Sequence, residues 1–156
     1  MILPIIKYGD PILRKVSTDV PTGYAGLNDL IKNMFDTLKL SGGIGLAAPQ
    51  IGVNLKIFIV LYRFMPKIFI NPIIYQRSGE SVKDLEGCLS IPRISAPVLR
   101  KNIIKITYQD EYLNPRNKMF TGFKARIIQH EYDHLEGILY IDHLSSDDKD
   151  RISPFL

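Results

Sequence analysis

The stretch Thr121–Gly137, TGFKARIIQHEYDHLEG, decides both the fold and the chemistry of this chain. Thr121 is a plausible cap before a helical pattern that runs through Glu136, and Gly137 supplies a C-terminal stop. Within it Phe123, Ile127, His130 and His134 recur at steps of four, three and four, so they share one stripe that faces a core. Two histidines at i and i+4 project their imidazoles from adjacent turns of one face, the separation needed to grip a single metal ion. Glu131 is rotated by about 100° around the axis, so it flanks such an ion without being forced to bind it. Asp133 is close enough in sequence to orient a ring nitrogen from behind.

Outward from this helix the texture changes. Between Lys56 and Phe120 the chain is a series of short β-branched and aromatic runs, IFIVLY, KIFIN, IIYQR, NIIKITY and KMF, divided by Asn71-Pro72, Ser78-Gly79 and Asn114-Pro115, which read as turns. Nearer the start, Leu27, Leu30, Ile31, Met34, Phe35 and Leu38 form an amphipathic stripe ended by Gly42-Gly43. Asp10-Pro11 reads as an N-cap and first helical residue of a short turn. Helix, strands, helix is the order of an α+β fold: mainly antiparallel strands packed around a C-terminal metal-binding helix, with an N-terminal helix.

The bounds agree with one domain over residues 1–156: 46% hydrophobic content, no repeat, no low-complexity tract and no linker. Twenty basic and 16 acidic side chains leave a net charge of +4 spread along the chain, weak support for a nucleic-acid partner. Arg93, Arg100, Lys101 and Lys105 read as a solvated strand face. The start, MILPIIKYGDP, has no basic leader and is broken by Pro4 and Lys7, which is unlike a secretory signal. No apolar run approaches bilayer length. A single cysteine, Cys88, rules out an intrachain disulfide and fits a reducing compartment.

Zinc proteases use the same histidine frame, and one group extends it as HExxHxxGxxH. Gly137 occupies the glycine position, but Tyr140 stands where the third histidine belongs, and His143 comes three residues late, on the surface after the helix. A third ligand must come from elsewhere. Cys88, in Glu86-Gly87-Cys88-Leu89-Ser90, is the candidate, because thiolate with two imidazoles leaves a fourth position open, as catalytic sites require. The competing reading of a lone cysteine is a small buried apolar side chain. A third stretch, Gly43-Ile44-Gly45-Leu46-Ala47-Ala48-Pro49-Gln50, has small residues that let backbone approach a substrate and a glutamine able to donate a hydrogen bond.

Taken together, GIGLAAPQ, EGCLS and QHEYDH resemble, in this order, the three signature motifs of peptide deformylases. The resemblance extends from Tyr8-Gly9-Asp10-Pro11-Ile12-Leu13-Arg14 to about Leu144. It implies a metal-dependent hydrolase that removes the N-formyl group from the N-terminal methionine of nascent polypeptides and releases formate. On this resemblance Cys88, His130 and His134 hold one divalent ion, ferrous iron before Zn(2+), Ni(2+) or Co(2+). Glu131 moves the proton, and the Gln50 amide and the Leu89 N–H meet the developing oxyanion. Gly43, Ile44 and Gly45 pair with the peptide backbone, while Phe123 and Ile127, with Glu86 nearby, line a methionine pocket. The implied partners are N-formylmethionyl nascent peptides, with transient proximity to the ribosome and no need of nucleic acid or membrane, in the cytoplasm or an organellar matrix.

Two departures from many relatives stand out: the short connection Arg63-Phe64-Met65-Pro66, and SSDDKDRISPFL in place of a longer C-terminal helix. Two other classes remain open from the residues. A metalloendoprotease needs HEYDH with a third ligand other than Cys88, and a non-enzymatic metal-binding or RNA-associated module would be indifferent to loss of Glu131.

Overall fold

The continuous apolar run of Ile57–Tyr62 has the character of a strand covered on both faces, and the structure, a computed structural model describing residues 1–156, places it so. Ile57 and Ile59 point into one apolar cluster with Met34, Leu38, Leu46, Ile51 and Ile70, whereas Phe58 and Val60 point into another with Phe69, Ile104, Ile106, Phe120, Ile127 and Ile128. Alternation of side chains across a pleated strand makes this division. The first cluster is closed by helix α1 (Leu27–Ser41) and the second by helix α2 (Gly122–Leu135). One sheet therefore lies between two helices.

The sheet contains β1 (Gly45–Ala47), β2 (Ile57–Tyr62), β3 (Met65–Cys88), β4 (Ile91–Gln109) and β5 (Pro115–Thr121), adjacent in chain order and all antiparallel. This is the α+β arrangement expected from the sequence. β2 and β3 meet at Tyr62↔Met65 through a two-residue turn, Arg63 and Phe64, both at positive φ (53° and 61°), the handedness that matches strand twist.

Two expected turns are not turns. Asn71-Pro72 and Ser78-Gly79 lie inside the single strand β3, at shifts of its register with β4 between Ile70 and Ile73 and between Ser78 and Ser81. Each is a bulge that absorbs an awkward residue without reversing the chain. Proline lacks a ladder donor, and Asn71 at φ 50° turns its side chain back to hold Val20, so the local chemistry looks like a turn while the strand continues.

Helix α1 ends at Gly42 (φ 72°), and the Pro11–Arg14 turn is capped by Asp10, whose Oδ1 accepts from Ile12 N at 3.0 Å. Thr121 precedes α2 in extended backbone but makes no side-chain capping bond. Gly137, at φ 73°, closes α2 where a Cβ would fall 2.5 Å from the carbonyl oxygen of Arg14. That close approach brings the N-terminal segment against the end of the metal-binding helix. After it come a short turn at Tyr140–His143 and helix α3 (Ser146–Ile152), whose apolar side chains pack with Ile91, Ala96 and Val98. No helix is long and apolar enough to cross a membrane.

Candidate metal centre

Helix α2 is buried over most of its surface between Ala125 and Leu135, although it contains Arg126, Gln129, Glu131, Asp133 and two histidines. Burying polar groups costs free energy unless each finds a partner. Gln129 Nε2 donates to the carbonyl oxygens of Lys101 (2.8 Å) and Ala125 (3.1 Å). Arg126 donates to Glu86 Oε2 (2.6 Å) and to the carbonyls of Val98 and Val82. Glu131 Oε1 and His134 Nδ1 are the exceptions on this helix, fully buried and without a hydrogen-bond partner.

These exceptions lie where the candidate ligands converge. Cys88, at the end of β3, brings its Sγ to 3.4 Å from His134 Nε2, and one ligand atom each from Cys88, His130 and His134 lie within 4.8 Å of one another. Sulfur and nitrogen ligands at about 2.3 and 2.0 Å from a tetrahedral ion are themselves about 3.5 Å apart, so the observed spacing fits a shared ion. Burial keeps His134 well below its ordinary pKa, with the His130 charge acting in the same direction, which favours the neutral imidazole that a metal requires. At His130 burial also works against charge, but Glu131, Cys88 and Glu86 outweigh it and raise the group to about 10. The surroundings therefore favour a cation at this point. The donor set, its spacing and its anionic neighbours fit a divalent metal.

Behind His130 stands Glu86, whose Oε1 is 2.9 Å from His130 Nδ1. Such a bond fixes the ring and leaves Nε2 as the nitrogen free for an ion. Glu86 also accepts from Arg100 Nε (2.6 Å) and Nη2 (2.9 Å) besides Arg126. Burial would raise the Glu86 carboxyl, yet His130 and Arg100 hold it far below the usual carboxylate range. Arg100 is thus not part of a solvated strand face: it is 7% exposed and bridges Glu86 to Asp133, which it reaches at 3.0 Å. Asp133 does not orient a metal-facing histidine either. Its Oδ2 is taken by Arg100 and, at 2.8 Å, by His143 Nε2, leaving His143 half-exposed beyond the helix.

The other two motifs complete the site. Gln50 is buried, its Oε1 accepts from Ala47 N at 2.9 Å, and its Nε2 is thereby aimed at Ser90 Oγ (3.2 Å) and Cys88 Sγ (3.5 Å). Gly45 runs so close to Glu131 that a Cβ would fall 2.5 Å from Oε2. Burial raises Glu131 to about 7, with His130 opposing and Glu86 reinforcing the shift. A cleft of about 820 Å³ opens onto these groups and is lined also by Gly43, Ile44, Leu89, Phe123 and Ile127. Of the twelve residues to which the resemblance gives a metal, catalytic or substrate role, all but His134 line this cleft, and His134 lies 3.4 Å from Cys88, which does. Arg100 and Arg126 escaped sequence reading because a lone basic residue in a strand or helix gives no sign of its buried partner.

Comparison with known proteins gives a consistent result. The family model described as polypeptide deformylase matches residues 2–150. A peptide deformylase of Christiangramia forsetii is 43% identical, with 94% of this chain and 83% of the relative covered. That of Karelsulcia muelleri is 47% identical, covering 92% and 79%. Among solved structures, peptide deformylase from Plasmodium falciparum superposes with a TM-score of 0.92 at 39% identity, over 96% of this chain and 91% of that one. The Thermotoga maritima enzyme gives 0.90 at 36%, over 93% and 99%.

Proposed function

We propose a division of labour in the site from one premise: this chain belongs to the polypeptide deformylase family and is a metal-dependent hydrolase that removes the N-formyl group from nascent polypeptides. Cys88, His130 and His134 would hold the ion. Bound there, a divalent cation supplies Lewis acidity, which makes water acidic near neutrality and polarises the formyl oxygen.

Everything else is done by the chain. Glu131 takes a proton from the attacking water on its carboxylate and delivers it to the departing methionine nitrogen. Its buried, unpartnered Oε1 supports this role, since a carboxylate relieved of structural bonds keeps an oxygen for transfer. Gln50 Nε2 and the backbone N–H of Leu89 donate to the formyl oxygen as it gains charge, and the Ala47 bond holds the amide in the donating orientation. Glu86 holds the His130 ring and is itself locked by Arg100 and Arg126.

Gly43, Ile44 and Gly45 would receive the peptide by strand pairing, because β1 is an edge strand. Backbone bonds tolerate any side chain, as an enzyme acting on many nascent chains requires. Phe123 and Ile127 would line the methionine pocket, with Glu86 close by; Phe123 is half-exposed and packs edge-on to Tyr62. Ferrous iron is the resident metal in this reading on the resemblance to the family alone, since a mixed thiolate and imidazole set accepts Zn(2+), Ni(2+) or Co(2+) as well. The enzyme works in the cytoplasm or an organellar matrix, near the ribosome where its substrates emerge.

The observation that carries this reading is the convergence of three separate motifs on one cleft. Its test is anaerobic incubation of the iron-loaded protein with a formylmethionyl peptide, following formate and free amine, with Glu131→Ala as control. Formate from the wild type and none from the variant is expected. No formate from the wild type would refute it.

A further inference from the structure

Seven residues lining the cleft are ionisable: Lys7, Glu86, Cys88, Arg93, Arg126, His130 and Glu131. Glu86 and Arg126 offset one another at 2.6 Å, Cys88 and His130 are candidate ligands, and Glu131 is buried beside them. Lys7 and Arg93 remain. Both are exposed, and neither belongs to any ion pair of the fold. The two acids of the lining, Glu86 and Glu131, are buried, so among the lining residues the exposed charge is positive.

Neither cation is on a loose segment. The residues flanking Lys7 are stitched to two of the three motifs: Ile6 N donates to the Gln50 carbonyl and Tyr8 N to the Ser90 carbonyl, both at 2.8 Å. Arg93 lies on a bulge. Gly87 pairs with Ser95 but Cys88 pairs with Ile91, so Pro92, Arg93 and Ile94 loop out beside the metal ligand, and all three line the cleft. Arg93 has φ 66°, a conformation that L-residues seldom adopt, and the next residue is tied down by Tyr140, whose buried hydroxyl donates to the Ile94 carbonyl at 2.9 Å. Such bulges re-aim side chains beside active sites.

We propose that Lys7 and Arg93 form a cationic selector at the cleft mouth, by which the enzyme favours formylmethionyl peptides with an acidic side chain just after the methionine over those with a basic one. The inference rests on the deformylase reading of the site and adds a substrate preference to it. The backbone contacts of a strand-paired peptide are blind to side chains, so the first discrimination beyond methionine falls to whatever charge surrounds the exit. The selector acts at a distance through solvent and holds substrate and transition state alike, so it lowers KM and leaves kcat unchanged.

The test compares C-terminally amidated formyl-Met-Glu-Ala, formyl-Met-Gln-Ala and formyl-Met-Lys-Ala with the metal-loaded enzyme. Salt is set at about 0.01 M and again at about 1 M, where screening lengths are about 30 Å and 3 Å. At low salt the Glu peptide should exceed the Lys peptide in kcat/KM by roughly threefold to tenfold, the scale of exposed charge pairs, with the difference in KM. At high salt the ratio should fall toward one. In K7E, R93E and the double variant, each normalised to its own rate on the Gln peptide, the preference should shrink and then invert. Equal turnover of all three peptides at low salt, a preference that survives high salt, or a preference untouched in the double variant would overturn the selector while leaving the deformylase reading standing. No formate from any peptide would overturn that reading and the selector with it.

Discussion

Gly45→Ala is expected to silence the enzyme without unfolding it. The backbone of Gly45 is not in the left-handed region, so alanine fits the strand conformationally. Space is the obstacle: a Cβ would lie 2.5 Å from Glu131 Oε2 and 2.9 Å from its Cγ and Cδ. Reaching an ordinary contact of 3.4 Å requires a retreat of about 1 Å. The strand cannot provide it, being held by Gly45↔Val60 pairing against β2, so the carboxylate must. Misplacing a catalytic group by about 1 Å costs on the order of 100-fold in rate. The assay is kcat/KM on a formylmethionyl peptide beside metal content and melting temperature, with Gly43→Ala for comparison, whose Cβ meets only side-chain ends of Leu38 and Leu89 at 3.1 Å. A loss near 100-fold at full metal content for Gly45→Ala, and a far smaller loss for Gly43→Ala, is expected. Activity within about threefold of wild type for Gly45→Ala would refute the placement of Glu131 as proton carrier, given the size expected of such a displacement.

Glu131→Gln should retain the metal, because Glu131 is outside the Cys88, His130 and His134 set, and lose about 10²- to 10⁴-fold in kcat, the usual worth of a proton carrier; metal analysis and steady-state kinetics check both halves. Arg100→Leu removes the guanidinium shared by Glu86 and Asp133, leaving Glu86 to Arg126 and His130 and Asp133 to His143, and should cost about 3 kcal/mol in denaturant unfolding, the low end for a broken buried pair, with weakened metal retention as the His130 support loosens. Burial would raise the Asp142 carboxyl, but Arg14, paired with it at 2.6 Å, holds it below its ordinary value. A depressed carboxyl contributes stability above its unfolded pKa and loses it as acid protonates it. Because the pair is solvent-screened, Asp142→Asn should cost only about 0.5 kcal/mol at neutral pH and nothing at acid pH, as read from melting temperatures across the titration.

Much of this was legible in the residues because the relevant interactions are local. The His130 and His134 pairing is a property of one helix turn, the Asp10 cap acts two residues away, and the stripe from Leu27 to Leu38 repeats along one face. What failed was non-local or masked. Arg100 finds Glu86 fourteen residues back and Asp133 thirty-three ahead, so its burial leaves no trace in its own neighbourhood. The unity of β3 is hidden by Asn71-Pro72 and Ser78-Gly79, residues that make turns wherever the ladder does not hold them. Helix α2 showed one apolar stripe and proved buried on most sides, its polar residues inside by virtue of partners on other elements. Cys88 stood as a candidate ligand on chemistry alone, and only the fold of β3 onto α2 brings its sulfur to His134.

X-ray absorption at the edge of the resident metal, on protein isolated without air, reads that last contact most directly. One sulfur near about 2.3 Å and two imidazole nitrogens near about 2.0–2.1 Å are expected, with a light non-protein atom completing the shell. A shell without sulfur, or one closed by a fourth side chain, would contradict the proposed centre.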